Sequence, residues 1–584
     1  MLTKLIVRRF KRFGCAGIEL GNPVVFIGPN NSGKTTALQA LSLWHTGLKR
    51  WNEKRSGDKT PEKRPGVAIN RRDIIAVPVP DTSLLWHGLH VRDVQRIDGK
   101  QQTRNIRIDI IVEGATGGKE WKCGLEFDYA NDESLYCRPL RLADDKSADR
   151  MPIPPEAAQQ NVAFLPPMSG LAENETRLDP GAINVRLGEG RTAEVLRNLC
   201  FRLSSSNETG DREKWQRVCK TIEELFGVEL KEPRYIPERG DITMTYLDVG
   251  KTELDLSCSG RGLQQTLLLL AYLASNPKSV ILVDEPDAHL EILRQRQTYE
   301  LISNLAKDYD SQLIAASHSE VVLNEAAGRD TVIAFVGRPH RIDNRGQHVL
   351  KALKDIGFDQ FYLAEQKGWV LYLEGSTDLS ILGAFAKTLE HPAATAMEQP
   401  FVHYVGNTPK SAQKHFYGLQ EAKKDLLGIA IFDRLDKQLQ QTESYTEICW
   451  SKREIENYLC SRDVLLAWAR EYTNKELGLH PGPLFVPDRL RTMEECIASI
   501  ENAMKKLGKG SPWSADTKVT DDFLDPLFRE FFEQLSLLNL FSKTNYHILA
   551  SLVRREDIDQ QIIEVLDQIQ DVSKRARGCD GPID

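Results

Sequence analysis

The sequence predicts an α/β protein of two consecutive units, each built on a largely parallel sheet with its chemistry at the strand ends. Three observations predict it. The glycine-rich loop "GPNNSGKTT", starting at Gly28, sits between an apolar strand pattern and a helical pattern. Far downstream, "LYLEGSTD", starting at Leu371, ends an apolar strand in an acid and opens a helix. The chain of 584 residues also exceeds what one ordinary hydrophobic core encloses.

Composition narrows the class. Hydrophobic residues make up 41% and charged residues 27%, as in a soluble globular protein, and the net charge of -7 gives no global attraction to nucleic acid. "LLLLAYLA" near Leu267 is too short for a membrane span. "MLTKLIVRRFKRF" alternates like a strand and has no signal-peptide apolar core, so a cytoplasmic protein without membrane contact is expected. The ten cysteines form no C-x-x-C pair, which argues against a zinc knuckle or a disulfide frame.

The first loop matches G-x-x-x-x-G-K-[ST] in full. Gly28 and Gly33 let the backbone wrap close to phosphates, and the helix N-terminus supplies positive potential. Gly28, Asn30, Asn31, Ser32, Gly33, Lys34, Thr35 and Thr36 are the candidate nucleotide cradle. Lys34 would reach the β- and γ-phosphates of ATP, and Thr35 would ligate Mg²⁺. "KSVILVDEPDAHL" reads as a buried strand ending in Asp284, a second Mg²⁺ ligand, and Glu285, which would polarise the attacking water. Upstream, Ser259 and Gly260 precede a long apolar helix and form another anion cradle. "QLIAASHSE" ends a strand near His318, a candidate γ-phosphate contact. A strand ending in two acids, or a lone histidine, is common in isolation; the order of the four elements singles them out.

That order resembles the ABC-type ATPases of the SMC and recombination-repair class. The resemblance covers residues 1–45 and about 240–340. It implies a homodimer or higher oligomer joined through the ATPase heads, with ATP as the glue. No long heptad stretch separates the halves, so coiled-coil arms are not expected. Residues from about 46 to 240 read as an insertion. It opens with the basic "LKRWNEKRSGDKTPEKRPGVAINRRD", either a solvated loop or a phosphate-contacting arm. "RIDIIVEG" and "WKCGLEFDY" follow as strands, "NVAFLPPMSGL" as a strand running into a turn. "TAEVLRNLCFRL" and "EKWQRVCKTIEELFG" have helical spacing, with apolar faces for core packing or for dimerisation.

The second unit is expected from residue 366 to the end. "WVLYL" ends at Glu374, "FVHYVGN" at Gly406-Asn407, and "LLGIAIFDRLDK" at Asp433. Acids at the ends of neighbouring parallel strands converge on one sheet edge and repel unless a hard cation such as Mg²⁺ or Mn²⁺ neutralises them. The pattern resembles a TOPRIM domain. Its Asp-x-Asp element is altered here: Leu435 stands where the second acid is expected, and Asp436 comes one position late. Glu454 and Glu456 in "WSKREIENYLC" would share a face on a strand but not on a helix.

Together these features resemble the OLD (overcoming lysogenization defect) nucleases, an ABC-type ATPase fused to a C-terminal TOPRIM. That resemblance spans nearly the whole chain. It implies an ATPase and metal-dependent DNA endonuclease in anti-phage defence. Catalysis would fall to Glu285, His318, Glu374, Asp433, Asp436, Glu454 and Glu456, the acids of the second unit also holding metal. A family lysine matches Lys543. The implied partners are DNA and a defence protein, or a reverse transcriptase–nucleic acid complex. The alternatives are an ATPase scaffold or DNA-repair clamp with a degenerate TOPRIM, and an effector silent until a partner releases it. Residues 460–584 read as mostly helical, with a frayed "KRARGCDGPID" end.

Overall fold

The computed structural model describes residues 1–55, 64–74, 76–97, 100–142, 149–342, 356–477 and 482–578. The middle of the basic stretch and the last residues of the tail lie outside them. The chain divides into two compact units, residues 1–350 and 351–580. Among the described residues, no helix is long and apolar enough to cross a membrane.

The first unit has two six-stranded sheets. The central one runs Val162–Leu165, Val280–Asp284, Gln312–Ser317, Val24–Ile27, Thr331–Ala334, His340–Arg341. All neighbours are parallel except the last pair. Val280–Asp284 and Gln312–Ser317 are buried throughout, as continuous apolar strands inside a parallel sheet must be. The second sheet is antiparallel: Phe13–Glu19, Leu2–Phe10, Ile108–Thr116, Lys119–Asn131, Ser134–Pro139, Val67–Asn70.

The helix Lys34–Arg55 lies between the sheets. Its Leu38, Leu41, Trp44 and Leu48 share one core with Val7, Ile110, Val112, Leu125 and Phe127 of the antiparallel sheet and with Phe26, Leu282 and Ile314 of the central one. This corrects the expected insertion in two ways. "LKRWNEKR", read as the start of a loop, is the helix's last two turns. The strand Val162–Leu165, read as part of an insertion, is an edge of the central sheet itself, paired in parallel with Val280–Asp284. Local pattern cannot reveal that pairing because more than a hundred residues separate the partners.

The helices Leu196–Ser205 and Thr209–Phe226 pack on each other and on Arg261–Ser275. The first is capped from outside by Glu175. Its buried carboxylate accepts from Arg197 N at 2.9 Å and Asn198 N at 2.6 Å, satisfying donors that have no partner within the helix.

The second unit is a three-layer α/β/α stack. Its parallel sheet has the order Val402–Tyr404, Trp369–Leu373, Leu427–Phe432, Tyr445–Cys449. Ser376–Thr388 and Gln560–Arg575 cover one face, Phe358–Lys367 and Pro409–Ala422 the other. The helix Phe358–Lys367, assigned by sequence mostly to the first domain, thus packs in the second unit. On that face the His403 and His415 rings stack with centroids 3.7 Å apart, and Tyr372 Oη lies 2.9 Å from His415 Nδ1. Phe523, Phe528, Phe531 and Phe541 of the C-terminal segment join the main core.

Candidate functional site

The phosphate loop follows the buried strand Val24–Ile27 and is confined from both sides. A Cβ on Gly28 would lie 2.7 Å from Phe335 O, and one on Gly33, whose φ is +104°, would lie 2.9 Å from Phe13 Cζ. Only glycine fits either position. Asn31 turns the loop with φ 61°. Lys34 Nζ donates to Gly28 O at 2.7 Å and Pro29 O at 2.8 Å, so its ammonium is folded onto its own loop. Burial lowers its pKa, against the raising effect of Asp284, Glu285 and Asp287. Ser32 Oγ is buried without a hydrogen-bond partner among the described residues. An orphaned hydroxyl beside a lysine in a glycine loop at a helix start fits a nucleotide phosphate.

Thr35 Oγ1 donates to Asp284 Oδ2 at 2.7 Å. Burial pushes the Asp284 carboxyl up to about 6, while the Thr35 bond pulls it down. The two oxygens form the hydroxyl–carboxylate pair that suits Mg²⁺ beside phosphates. Glu285 follows with a left-handed φ of 51°, a strained conformation for a side chain of its size. It is tethered by its N–H to Ala316 O at 2.8 Å, and its Oε1 lies 3.6 Å from His318 Nδ1. His318 is held between Ser317, the last residue of its strand, and Ser319, which caps the next helix and donates to Gln295 Oε1 at 2.7 Å. Asp284, Glu285 and His318 thus gather near Lys34 and Thr35. Ser259 and Gly260 do not join them: Ser259 Oγ donates to Leu256 O at 2.6 Å, and exposed Gly260 caps Arg261–Ser275.

Sequence reading missed Asp287. It is buried beside Ser317 and Glu285, and its pKa is raised by burial. The signal was its spacing, three residues after Asp284 in "DEPD".

In the second unit, Glu374 and Asp433 follow adjacent parallel strands, and their carboxyls come within hydrogen-bonding reach. Burial first, then Glu374, pushes the Asp433 pKa far above the carboxylate range. Two carboxyls this close share a proton or a cation. Lys543 Nζ lies 3.1 Å from Glu456 Oε1. Burial pulls this ammonium down, but Glu456, Glu454 and Asp378 outweigh it and hold its pKa above the usual value.

Asp378 is the second residue missed. It caps its own helix, Oδ2 accepting from Gly375 N at 3.1 Å, and its charge is felt at Glu456, Asp433 and Lys543. The signal was its place in "EGSTD", four residues after Glu374.

Glu454 and Glu456 correct both expected geometries. They lie neither on a strand nor on an exposed helix. Glu454 is the extended cap of the short 3₁₀ turn Ile455–Tyr458, and both side chains are buried. Glu454 Oε1 accepts from Thr520 N at 2.6 Å, so it clasps two segments together. Asp436 stands exposed on the loop after Leu435 and joins none of these contacts among the described residues.

Among the described residues, no three His, Cys, Asp or Glu side chains are set to hold a metal ion together. Mg²⁺ does not demand that. It keeps several waters and takes one or two carboxylates. The Glu374–Asp433 pair fits such a site, and the neighbouring Asn407 Oδ1 is buried without a partner among the described residues.

Comparison with known proteins adds a family and a fold. A family described as "AAA domain, putative AbiEii toxin, Type IV TA system" matches residues 207–324. That stretch holds Ser259, Gly260, Asp284, Glu285 and His318, so the chain carries an ATPase domain of this type. None of the curated proteins matches. Similar solved structures include an SMC head bound to the C-terminal winged-helix domain of ScpA, at 14% identity over 58% of this chain and 97% of that one, TM-score 0.33. The SMC head domain from Thermotoga maritima is 16% identical over 58% and 98%, TM-score 0.30. An Smc head with an extended coiled coil, bound to the C-terminal domain of ScpA derived from Pyrococcus furiosus, is 15% identical over 61% and 99%, TM-score 0.33.

Proposed function

We propose that the chain is a metal-dependent DNA endonuclease of the OLD type, whose ATPase unit controls cutting by a TOPRIM-like second unit. The observation that carries this reading is the Glu374–Asp433 carboxyl pair at the ends of adjacent parallel strands. Mg²⁺ or Mn²⁺ held there would activate a water and stabilise the leaving oxygen. Lys543, poised against Glu456, would balance charge as the phosphodiester opens. Glu454 and Asp378 keep that lysine charged and in place. In the first unit, Lys34 would exchange its loop carbonyls for ATP phosphates, Thr35 and Asp284 would hold Mg²⁺, and Glu285 with His318 would orient the attacking water. Nucleotide binding would join two copies through their ATPase heads, and hydrolysis would release them. On this reading the protein acts in the cytoplasm in anti-phage defence, alone or with a partner such as a reverse transcriptase–nucleic acid complex.

The test is plasmid nicking by purified protein with Mg²⁺ or Mn²⁺, with and without ATP, beside Glu374→Ala and Lys34→Ala. Cutting that needs Glu374 and changes with ATP is expected. Cutting that survives Glu374→Ala would overturn the nuclease assignment. A second reading, an ATPase scaffold or repair clamp with a degenerate TOPRIM, is favoured by the exposed Asp436. It predicts ATP turnover without cutting under any metal.

A further inference from the structure

The antiparallel sheet of the first unit turns Leu5, Val7, Ile110, Leu125 and Phe127 inward to the core. Strand alternation sends Arg8, Asp109, Glu126, Asp128 and Arg138 to the other face. There Glu126, 2% exposed, is surrounded by guanidiniums: Arg138 Nε at 2.6 Å, Arg150 Nη1 at 3.0 Å, Arg107 Nε at 3.6 Å and Arg141 Nε at 3.8 Å. Asp128 takes two of the same arginines, Arg107 and Arg138, each at 2.9 Å. Arg9 pairs with Asp109 at 2.7 Å, and exposed Arg8 acts on the same carboxyl. The Lys122–Glu113 pair on this face is balanced. The rest is not: among the described residues, six arginines meet three carboxylates.

A purely structural network closes when charges match, because crowded like charges are costly to hold half-buried. Here the surplus is positive and made of arginine, whose planar fork fits phosphate oxygens. Burial and the nearby Arg107 and Arg138 hold Arg141 below its ordinary pKa, the mark of guanidiniums lacking a counter-ion. A chain of net charge -7 must draw a polyanion through a local patch of this kind.

We infer that this face of the antiparallel sheet is a docking surface for the phosphodiester backbone of DNA. The inference deepens the nuclease reading by adding a grip on the substrate, and rests on it only for the choice of DNA among phosphate polymers.

The test is anisotropy of fluorescein-labelled duplex DNA titrated with full-length protein in EDTA, across a range of KCl. Arg8→Gln/Arg141→Gln should bind at least tenfold more weakly. Its slope of log K against log salt should be shallower by about 2, close to one for each phosphate no longer neutralised. Arg8→Lys/Arg141→Lys should stay within threefold of wild type, and ATP turnover should be unchanged in both. Unchanged affinity and slope in the glutamine variant would overturn the inference, as would absence of DNA binding by the wild type. Displacement of DNA by inorganic phosphate at matched ionic strength would assign the patch to a free anion instead. Displacement by poly-glutamate as effective as by unlabelled DNA would assign it to an acidic protein. Either result overturns the DNA assignment. Arginine-dependent binding without cutting under any metal would sink the nuclease reading and leave this one standing.

Discussion

Lys543 Nζ lies 3.1 Å from Glu456 Oε1, and the two are unequal partners: the lysine is 42% exposed at its side chain, the glutamate 2%. Truncating the lysine therefore leaves a carboxylate stranded in the interior. Lys543→Ala should cost about 1–3 kcal/mol in urea unfolding, and Glu456→Gln added to it should recover most of that. Simple additivity of the two substitutions would show that the pair is not coupled.

His415 is buried against His403 with Tyr372 Oη at its Nδ1, and burial, then His403, lowers its pKa to about 3. The unfolded chain takes up a proton near pH 6.5 that the folded protein refuses. Stability from this site is therefore complete above pH 6.5 and falls as pH drops toward 3. Between pH 6.5 and 5 the loss should be about 2 kcal/mol. His415→Phe should flatten that acid limb in thermal melts from pH 5 to 7.5. An unchanged limb would place the acid sensitivity elsewhere.

Glu285 holds a left-handed φ of 51° at the position proposed to polarise water. Glu285→Gly should raise stability by about 1 kcal/mol by relieving that strain, and should still abolish ATP turnover. Glu285→Gln should keep both the strain and ATP binding while lowering kcat by about 10²–10⁴-fold. A glycine variant no more stable than wild type would mean the conformation is not strained.

The Thr35–Asp284 bond of 2.7 Å predicts a metal-specific defect. Thr35→Ala should bind ATP as wild type does in EDTA, but lose most of the gain that Mg²⁺ brings, with turnover down by about 10²-fold, some 2.7 kcal/mol of transition-state stabilisation. Equal losses with and without Mg²⁺ would move Thr35 from metal binding to folding of the loop.

Much of this site was readable because parallel strands carry their own signal. "VVFI", "VILVD" and "WVLYL" are apolar throughout, so each ends where the first polar residue appears, and that residue is the functional one. Glu374 and Asp433 were expected together for the same reason, and their strands are neighbours. What local pattern hid was spacing across the fold. Asp378 reads as an ordinary helix-start acid, and only packing shows its charge acting on Lys543. Glu454 and Glu456 admit a strand or a helix, and the cap of a short turn is neither. Asp436 sits one residue beyond the expected ligand, and the exposed loop carries it away from the carboxyl pair.

The helix that begins at Lys34 runs 22 residues, about 33 Å at the usual rise, and its apolar side chains serve two sheets at once. Neither sheet is a detachable module. A shortened protein lacking residues 67–139 would strip one side of Trp44 and Leu48 bare to water, and the nucleotide loop would start a sticky, half-clothed rod. Anyone cutting the first unit down to a minimal ATP-binding fragment should expect aggregation. The antiparallel sheet, which holds none of the loop's phosphate chemistry, is nevertheless part of what keeps that loop soluble.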